Sequence, residues 1–161
     1  MSWYRLKAGL QPGQAAPAFD GLDEEGQHQR LQDYRGRWLL LFFYPQDGSP
    51  GCIREACRFN DDFDAFSILG ASLLGCSGQD AASHQRFREG CRLRYRLLTD
   101  PGRVIREAWQ VPHIFRLIDG RCSFLIDPQG IVRWVYANAR QPEQHSALAL
   151  ETLRRFVAEG N

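Results

Sequence analysis

The 161-residue chain reads as an α/β sandwich on a mixed sheet. Three observations carry that reading. Short apolar runs alternate with helical amphipathic stretches, the pattern of strands joined by crossover helices. One run, Trp38-Leu39-Leu40-Leu41-Phe42-Phe43-Tyr44, is apolar throughout, as in a central strand covered on both faces. Two later strand-like runs meet across Asp127-Pro128-Gln129-Gly130, a turn sequence that makes their pairing antiparallel.

Taken in order, the central strand gives way at Pro45 to a Gly- and Pro-rich turn. From Cys52 onward Ala56, Phe59, Phe63 and Phe66 recur at helical spacing, with Asp61, Asp62 and Asp64 interleaved toward solvent and Gly70 as the stop. Residues 71–76 form a second strand. Asp80 is placed to cap a helix that runs through Phe87 and stops near Gly90. A third strand covers 96–99, ended by Asp100 as N-cap with Pro101 at the first helical position. Val104, Ile105, Ala108 and Trp109 give the short helix that follows its apolar face. The hairpin strands are 123–126 and 131–135. A terminal helix begins near Pro142, with Leu150, Leu153, Phe156 and Val157 as its stripe and Gly160 as its stop.

Composition narrows the function. The length fits one domain, residues 1–161, able to bury a core without staples. With 43% hydrophobic residues, 20 basic against 19 acidic side chains and a net charge of +1, the chain has no basic stripe for a nucleic-acid partner. Met1 to Lys7 lacks the apolar core of an export signal, and no run approaches the roughly 20 residues of a membrane span. A cytoplasmic protein is expected. Five cysteines at irregular spacings do not make a secreted disulfide framework, so a disulfide here is expected to be transient. Cys52 and Cys57 have no second cysteine pair or His pair beside them to complete a zinc site, and no metal or organic cofactor is expected.

The densest chemistry lies in Phe42-Phe43-Tyr44-Pro45-Gln46-Asp47-Gly48-Ser49-Pro50-Gly51-Cys52-Ile53-Arg54-Glu55-Ala56-Cys57, where strand turns into helix. A cysteine in the first turn of a helix faces unpaired N–H groups and the positive end of the macrodipole, both of which favour thiolate. Pro45, Ser49 and Cys52 meet the Pro-x-x-x-Thr/Ser-x-x-Cys pattern, and the stretch resembles the active site of the peroxiredoxins. Cys57 in its Pro-Gly-Cys-x-x-Glu-Ala-Cys context is similar to the bacterioferritin comigratory protein branch, also called peroxiredoxin Q. The likeness extends to Ala16-Pro17-Ala18-Phe19, Ser83-His84 with Phe87, Leu97-Leu98-Thr99-Asp100 and Gly120-Arg121-Cys122-Ser123-Phe124-Leu125-Ile126-Asp127. It covers roughly residues 9–158.

The resemblance implies a thioredoxin-like fold whose N-terminal extension holds residues 1–36, with 13–19 and 21–30 as loops and a short hairpin. It implies a thiol peroxidase that reduces hydrogen peroxide and small organic hydroperoxides, in which Cys52 is the nucleophile, Cys57 the resolving thiol, and thioredoxin or a similar dithiol the reductant. Ser49 would hold the peroxide and Arg121 would face the sulfur. Glu55 either orients that Arg or is a first-turn Glu favoured by the dipole, and Pro45 and Tyr44 would shape the pocket. Cys76, Cys91 and Cys122 read as structural, and His84 as a helix-surface residue. A monomer or weak dimer is implied. A redox sensor and a thiol-disulfide oxidoreductase are the alternatives, the latter wanting Cys-x-x-Cys where this chain has four intervening residues. In a regular helix two residues five apart have Cα atoms about 8.6 Å apart, beyond the roughly 7 Å that a disulfide spans. Bonding Cys52 to Cys57 would therefore unwind the helix locally.

Overall fold

The computed structural model describes residues 9–114 and 118–160; Met1 to Lys7, read above for an export signal, lie outside them. Five strands form the main sheet in the order β5-β4-β3-β8-β9. They are β3 (Trp38–Phe43), β4 (Ala71–Ser77), β5 (Arg96–Thr99), β8 (Cys122–Ile126) and β9 (Val132–Ala137). Strand β3 pairs in parallel with β4 and antiparallel with β8; β4 pairs in parallel with β5 and β8 antiparallel with β9. The sheet is mixed, as expected, with the most apolar strand in the middle. All six residues of β3 are buried.

Alternation along β3 sorts the core into two layers. Leu39, Leu41 and Phe43 share one layer with Phe19, Leu31, Ile105, Trp109 and Phe124. Trp38, Leu40 and Phe42 share the other with Ala56, Phe59, Phe66, Phe87, Ala149 and Leu153. The second layer belongs to helices α1 (Pro50–Asp61), α2 (Phe63–Ile68), α3 (Ala81–Cys91) and α5 (Pro142–Ala158). The first belongs to α4 (Val104–Ala108) and the N-terminal segment, where β1 (Asp20–Leu22) and β2 (His28–Arg30) form the expected hairpin. That hairpin guards the sheet edge. Glu24 accepts the β5 N–H of Leu97 at 3.0 Å and pairs with Arg96 at 3.1 Å, which covers backbone that would otherwise invite another strand.

Several local expectations are corrected. The helix from Cys52 does not run unbroken toward Gly70, because Asp62 (φ −89°, ψ 1°) separates α1 from α2. Asp62 accepts from both Arg58 and Ser146, each at 2.8 Å, and these bonds hold it at the break. Helix α3 passes through Gly90 and ends in a left-handed residue, Arg92 (φ 54°). Asp100 does not cap a helix beginning at Pro101. Residues 101–103 form a single 3-10 turn with Gly102 at φ 74° and Arg103 at φ 62°, and the Asp100 carboxylate reaches past it to the N–H groups of Ile105 and Arg106, both at 2.9 Å. Val157 is 38% exposed rather than part of the α5 stripe; His145 and Ala149 are buried there instead. A small hairpin of β6 (His113–Ile114) and β7 (Ile118–Asp119) was not expected from the sequence.

The largest surprise in the core is Arg106, 2% exposed. Its Nη1 donates to the Gly120 carbonyl at 2.8 Å and its Nη2 to the Tyr44 carbonyl at 2.9 Å, so one guanidinium ties the exit of β3 to the approach to β8. Burial pulls its pKa down, with Asp119 opposing. Replacing Arg106 with Met is expected to leave both carbonyls without donors in a dry site, at a cost of about 2–4 kcal/mol. A lowered urea midpoint at unchanged m-value would show it.

Candidate active site

The strand-to-helix turn is held from below. Tyr44 is buried, and its hydroxyl donates to Asp47 Oδ1 at 2.6 Å; burial, with Asp47 adding to it, pushes the phenol well above its ordinary pKa. Asp47 Oδ2 accepts from the Ser83 hydroxyl at 2.8 Å and meets His84 Nδ1 at 2.6 Å. His84, expected on the helix surface, is instead fully buried, with Nε2 donating to the Leu98 carbonyl at 3.1 Å. Asp47 thus fastens the turn to α3. Neither residue stands out by periodicity, although the Ser83-His84 pair in the first turn of α3 was visible as a motif.

Ser49 is the N-cap of α1, with Pro50 at the first helical position. Its Oγ accepts the Cys52 N–H and its hydroxyl reaches the Gln46 carbonyl, both at 3.4 Å. Cys52 follows in the first turn, 1% exposed, where the backbone N–H groups lack helical partners. Pro45 sits half-buried at the start of the turn, beside buried Tyr44.

Arg121 enters from the other side of the sheet order, immediately before β8. Its Nη1 donates to Cys52 Sγ at 3.4 Å and to Glu55 Oε1 at 3.3 Å, and its Nε to the Ala139 carbonyl at 3.4 Å. Burial opposes the guanidinium charge, yet Glu55 and the Cys52 sulfur outweigh that and hold its pKa above the ordinary value. Gly51 leaves room for it: a Cβ there would lie 3.1 Å from Arg121 Nη2. Fixed donors aimed at a sulfur in a desolvated site are the arrangement that stabilises developing negative charge.

Glu55 is completely buried. Burial pushes its carboxyl up to about 8, with Arg121 pulling it back. Its Oε2 has no hydrogen-bond partner, and the nearest titratable ring, His145, has Nδ1 3.7 Å away. His145 Nε2 donates to the Asn138 carbonyl at 2.7 Å, which leaves Nδ1 to accept from Ser123 at 2.8 Å. Burial drives its pKa down to about 3, so the ring is neutral. Neither His145 nor its role was legible in the sequence.

The structure therefore brings together Cys52, Ser49, Glu55 and Arg121, with Tyr44 and Pro45 beside them. It places Cys57 elsewhere. Five residues along a helix turn about 140°, and Cys57, half-buried, lies near Cys91 at the end of α3. Cys76 and Cys122 are buried in the core, where desolvation raises both thiols. Among the described residues no group of three or more His, Cys, Asp or Glu is placed to hold a metal ion.

The AhpC/TSA family model matches residues 12–135. Among curated relatives, the chloroplastic peroxiredoxin Q of Oryza sativa subsp. japonica is 39% identical over 143 residues, covering 88% of this chain and 66% of the relative. That of Arabidopsis thaliana is 40% identical over 148 residues, covering 91% of this chain and 68% of the relative. The chain thus spans 66% of the length of the rice protein. Among solved structures, a peroxidoxin from Mycobacterium tuberculosis superposes with a TM-score of 0.84 at 29% identity, over 91% of this chain and 97% of that one. Peroxiredoxin Q of Xanthomonas campestris superposes with a TM-score of 0.81 at 26% identity, over 92% and 97%. These likenesses bear out the thioredoxin-like fold. The chain belongs to the AhpC/TSA family, in its peroxiredoxin Q branch.

Proposed function

We propose that the protein is a thiol-dependent peroxidase acting on hydrogen peroxide and small organic hydroperoxides, with Cys52 as the nucleophile. The observation that carries this reading is the Arg121 guanidinium donating at once to Cys52 Sγ and Glu55 Oε1, directly over a capped helix start. The thiolate attacks one peroxide oxygen, the O–O bond breaks, and its electron pair leaves on the distal oxygen, which takes up a proton as water or alcohol. Cys52 is left as sulfenic acid. Ser49 and Arg121 offer the donors that hold the peroxide in line, and Glu55 fixes the guanidinium plane. The site draws on one chain, so the reading needs no partner subunit.

Cys57 then condenses with the sulfenic acid, releasing water and forming the Cys52-Cys57 disulfide, and thioredoxin or a similar dithiol restores both thiols. Both cysteines lie in the continuous helix α1, so the condensation requires the first turns of that helix to open. Five cysteines at irregular spacings suit a reducing compartment such as the cytoplasm, and among the described residues no helix is long and apolar enough to cross a membrane.

Turnover of peroxide with thioredoxin and its reductase tests the assignment against a pure sensor. Cys52→Ser is expected to abolish it, because a Ser hydroxyl stays protonated and is a poor nucleophile without a base; turnover at the wild-type rate would sink the reading. Arg121→Ala is expected to slow the peroxide step by about 10²–10³-fold, the usual loss when one preorganised donor is removed, with an unchanged circular dichroism spectrum. Stopped-flow fluorescence checks this.

The buried acid gives a pH signature. Glu55 is raised in the folded state to about 8, so its contribution to stability is full below the ordinary carboxylate range and is lost as pH rises through 8. His145, lowered to about 3, contributes in the opposite sense, losing stability as pH falls from 6.5 toward 3. Between pH 6.5 and 8 the Glu55 effect stands alone of the two. The urea midpoint is expected to fall across that window in the wild type, and Glu55→Gln to flatten the fall.

A further inference from the structure

Cys91 is half-buried at the last residue of α3, close enough to Cys57 to feel it electrostatically. The contact is built. Tyr95 donates its hydroxyl to the Ala56 carbonyl at 2.8 Å, Asn60 Nδ2 donates to the Arg92 carbonyl at 3.1 Å, and the Arg94 N–H returns to Asn60 Oδ1 at 2.9 Å. These bonds bracket Cys57 on α1 and tie that stretch to residues 92–95, which directly follow Cys91. They all lie on the half of α1 that follows Glu55. An opening confined to the first turns of α1 would therefore move Cys52 and leave Cys57 beside Cys91.

Resting on the peroxidase reading above, we propose that Cys91 is a second, downstream resolving thiol, which takes the disulfide over from Cys52 and stores it as Cys57-Cys91. The Cys91 sulfur attacks Cys57 Sγ of the Cys52-Cys57 disulfide as its thiolate, having lost its proton to water. The Cys57-Cys91 bond forms, the Cys52-Cys57 bond breaks, and the electron pair leaves on Cys52 as thiolate. No further oxidant is needed, since a disulfide is exchanged for a disulfide.

Two physical features favour the transfer. Cys52, once released, regains its Arg121 donor and the first turn of α1 re-forms under Ser49, whereas the Cys52-Cys57 bond holds that turn open. The exchange is also timed. In the reduced protein burial, with the neighbouring Cys57 adding to it, pushes the Cys91 thiol up to about 11, which keeps it inert. The Cys57 contribution vanishes when its sulfur is taken into the disulfide. Cys91 opens onto a groove of about 500 Å³ between α3 and the active-site turn, lined also by Gly48, Ile53, Phe87 and Gly90. An external dithiol can reach the stored disulfide there while Cys52 is closed beneath Arg121.

The test is disulfide mapping of the full chain. Reduced protein is given one equivalent of hydrogen peroxide, quenched in acid, alkylated and digested. The expected product joins Cys57 to Cys91 and carries alkylated Cys52. A terminal Cys52-Cys57 bond with Cys91 alkylated overturns the relay and leaves the peroxidase reading intact, as does a Cys52-Cys91 bond with Cys57 alkylated. Formation of Cys57-Cys91 at the same rate in Cys52→Ser also overturns it, since oxidation would then bypass Cys52. Without reductant the wild type is expected to consume two equivalents of peroxide in its fast phase, the second leaving Cys52 as sulfenic acid trapped by dimedone. Cys91→Ser is expected to consume one, a twofold loss of burst amplitude; equal amplitudes overturn the proposal. Failure of wild-type Cys52 to react at all would instead overturn the peroxidase reading.

Discussion

The site depends on a buried cation that touches none of its reacting atoms. Arg106 donates to the Tyr44 carbonyl at the exit of β3 and to the Gly120 carbonyl ahead of β8. The first carbonyl precedes the turn that delivers Cys52, and the second precedes Arg121. One rigid guanidinium therefore sets the separation of the two segments that must meet at the sulfur. A planar group with several fixed donors does this better than the flexible ammonium of Lys. Asp100, through the N–H groups of Ile105 and Arg106, holds the short helix that presents it.

Around that strut the polar groups form a closed set of local solutions to burial. Asp47 is satisfied by Tyr44, Ser83 and His84, and Glu55 by Arg121 on one oxygen alone. The asymmetry is informative. A fully satisfied carboxylate fixes a loop, whereas a buried carboxylate with an unpaired oxygen holds its charge at a cost. Glu55 binds Arg121 in place and remains close enough to neutrality for the guanidinium to be shared with sulfur.

Much of this was legible in the sequence, and the limits were physical. The uninterrupted run at β3, the turn at Asp127 to Gly130 and the thiol motif are local signals, and fold and family follow from them. Ser49, Cys52, Glu55 and Arg121 converge as the resemblance implied. Arg106, His145 and the Asp47-His84 pair were not visible, because a charged residue bonded to distant backbone carbonyls has the same local signature as a solvated one. The nearness of Cys91 to Cys57 is hidden for a related reason: the two lie 34 positions apart (91 − 57), on separate helices whose approach no periodicity reports. The break at Asp62 carries no local signal, since Phe63 and Phe66 continue the apolar spacing across it.

Gly51 illustrates how rate and robustness part company at one position. Alanine is the better helix former by up to about 1 kcal/mol, so a methyl there would strengthen the turn whose opening the proposed resolving step requires. It would also press on the Arg121 Nη2 at 3.1 Å and shift the donor aimed at Cys52. A sequence chosen for thermal tolerance alone would therefore drift toward alanine at this site and, under the proposed cycle, lose speed twice, once in attack and once in resolution. The glycine marks a place where the protein holds less stability than its backbone allows, in keeping with the general trade between firmness and activity at catalytic sites.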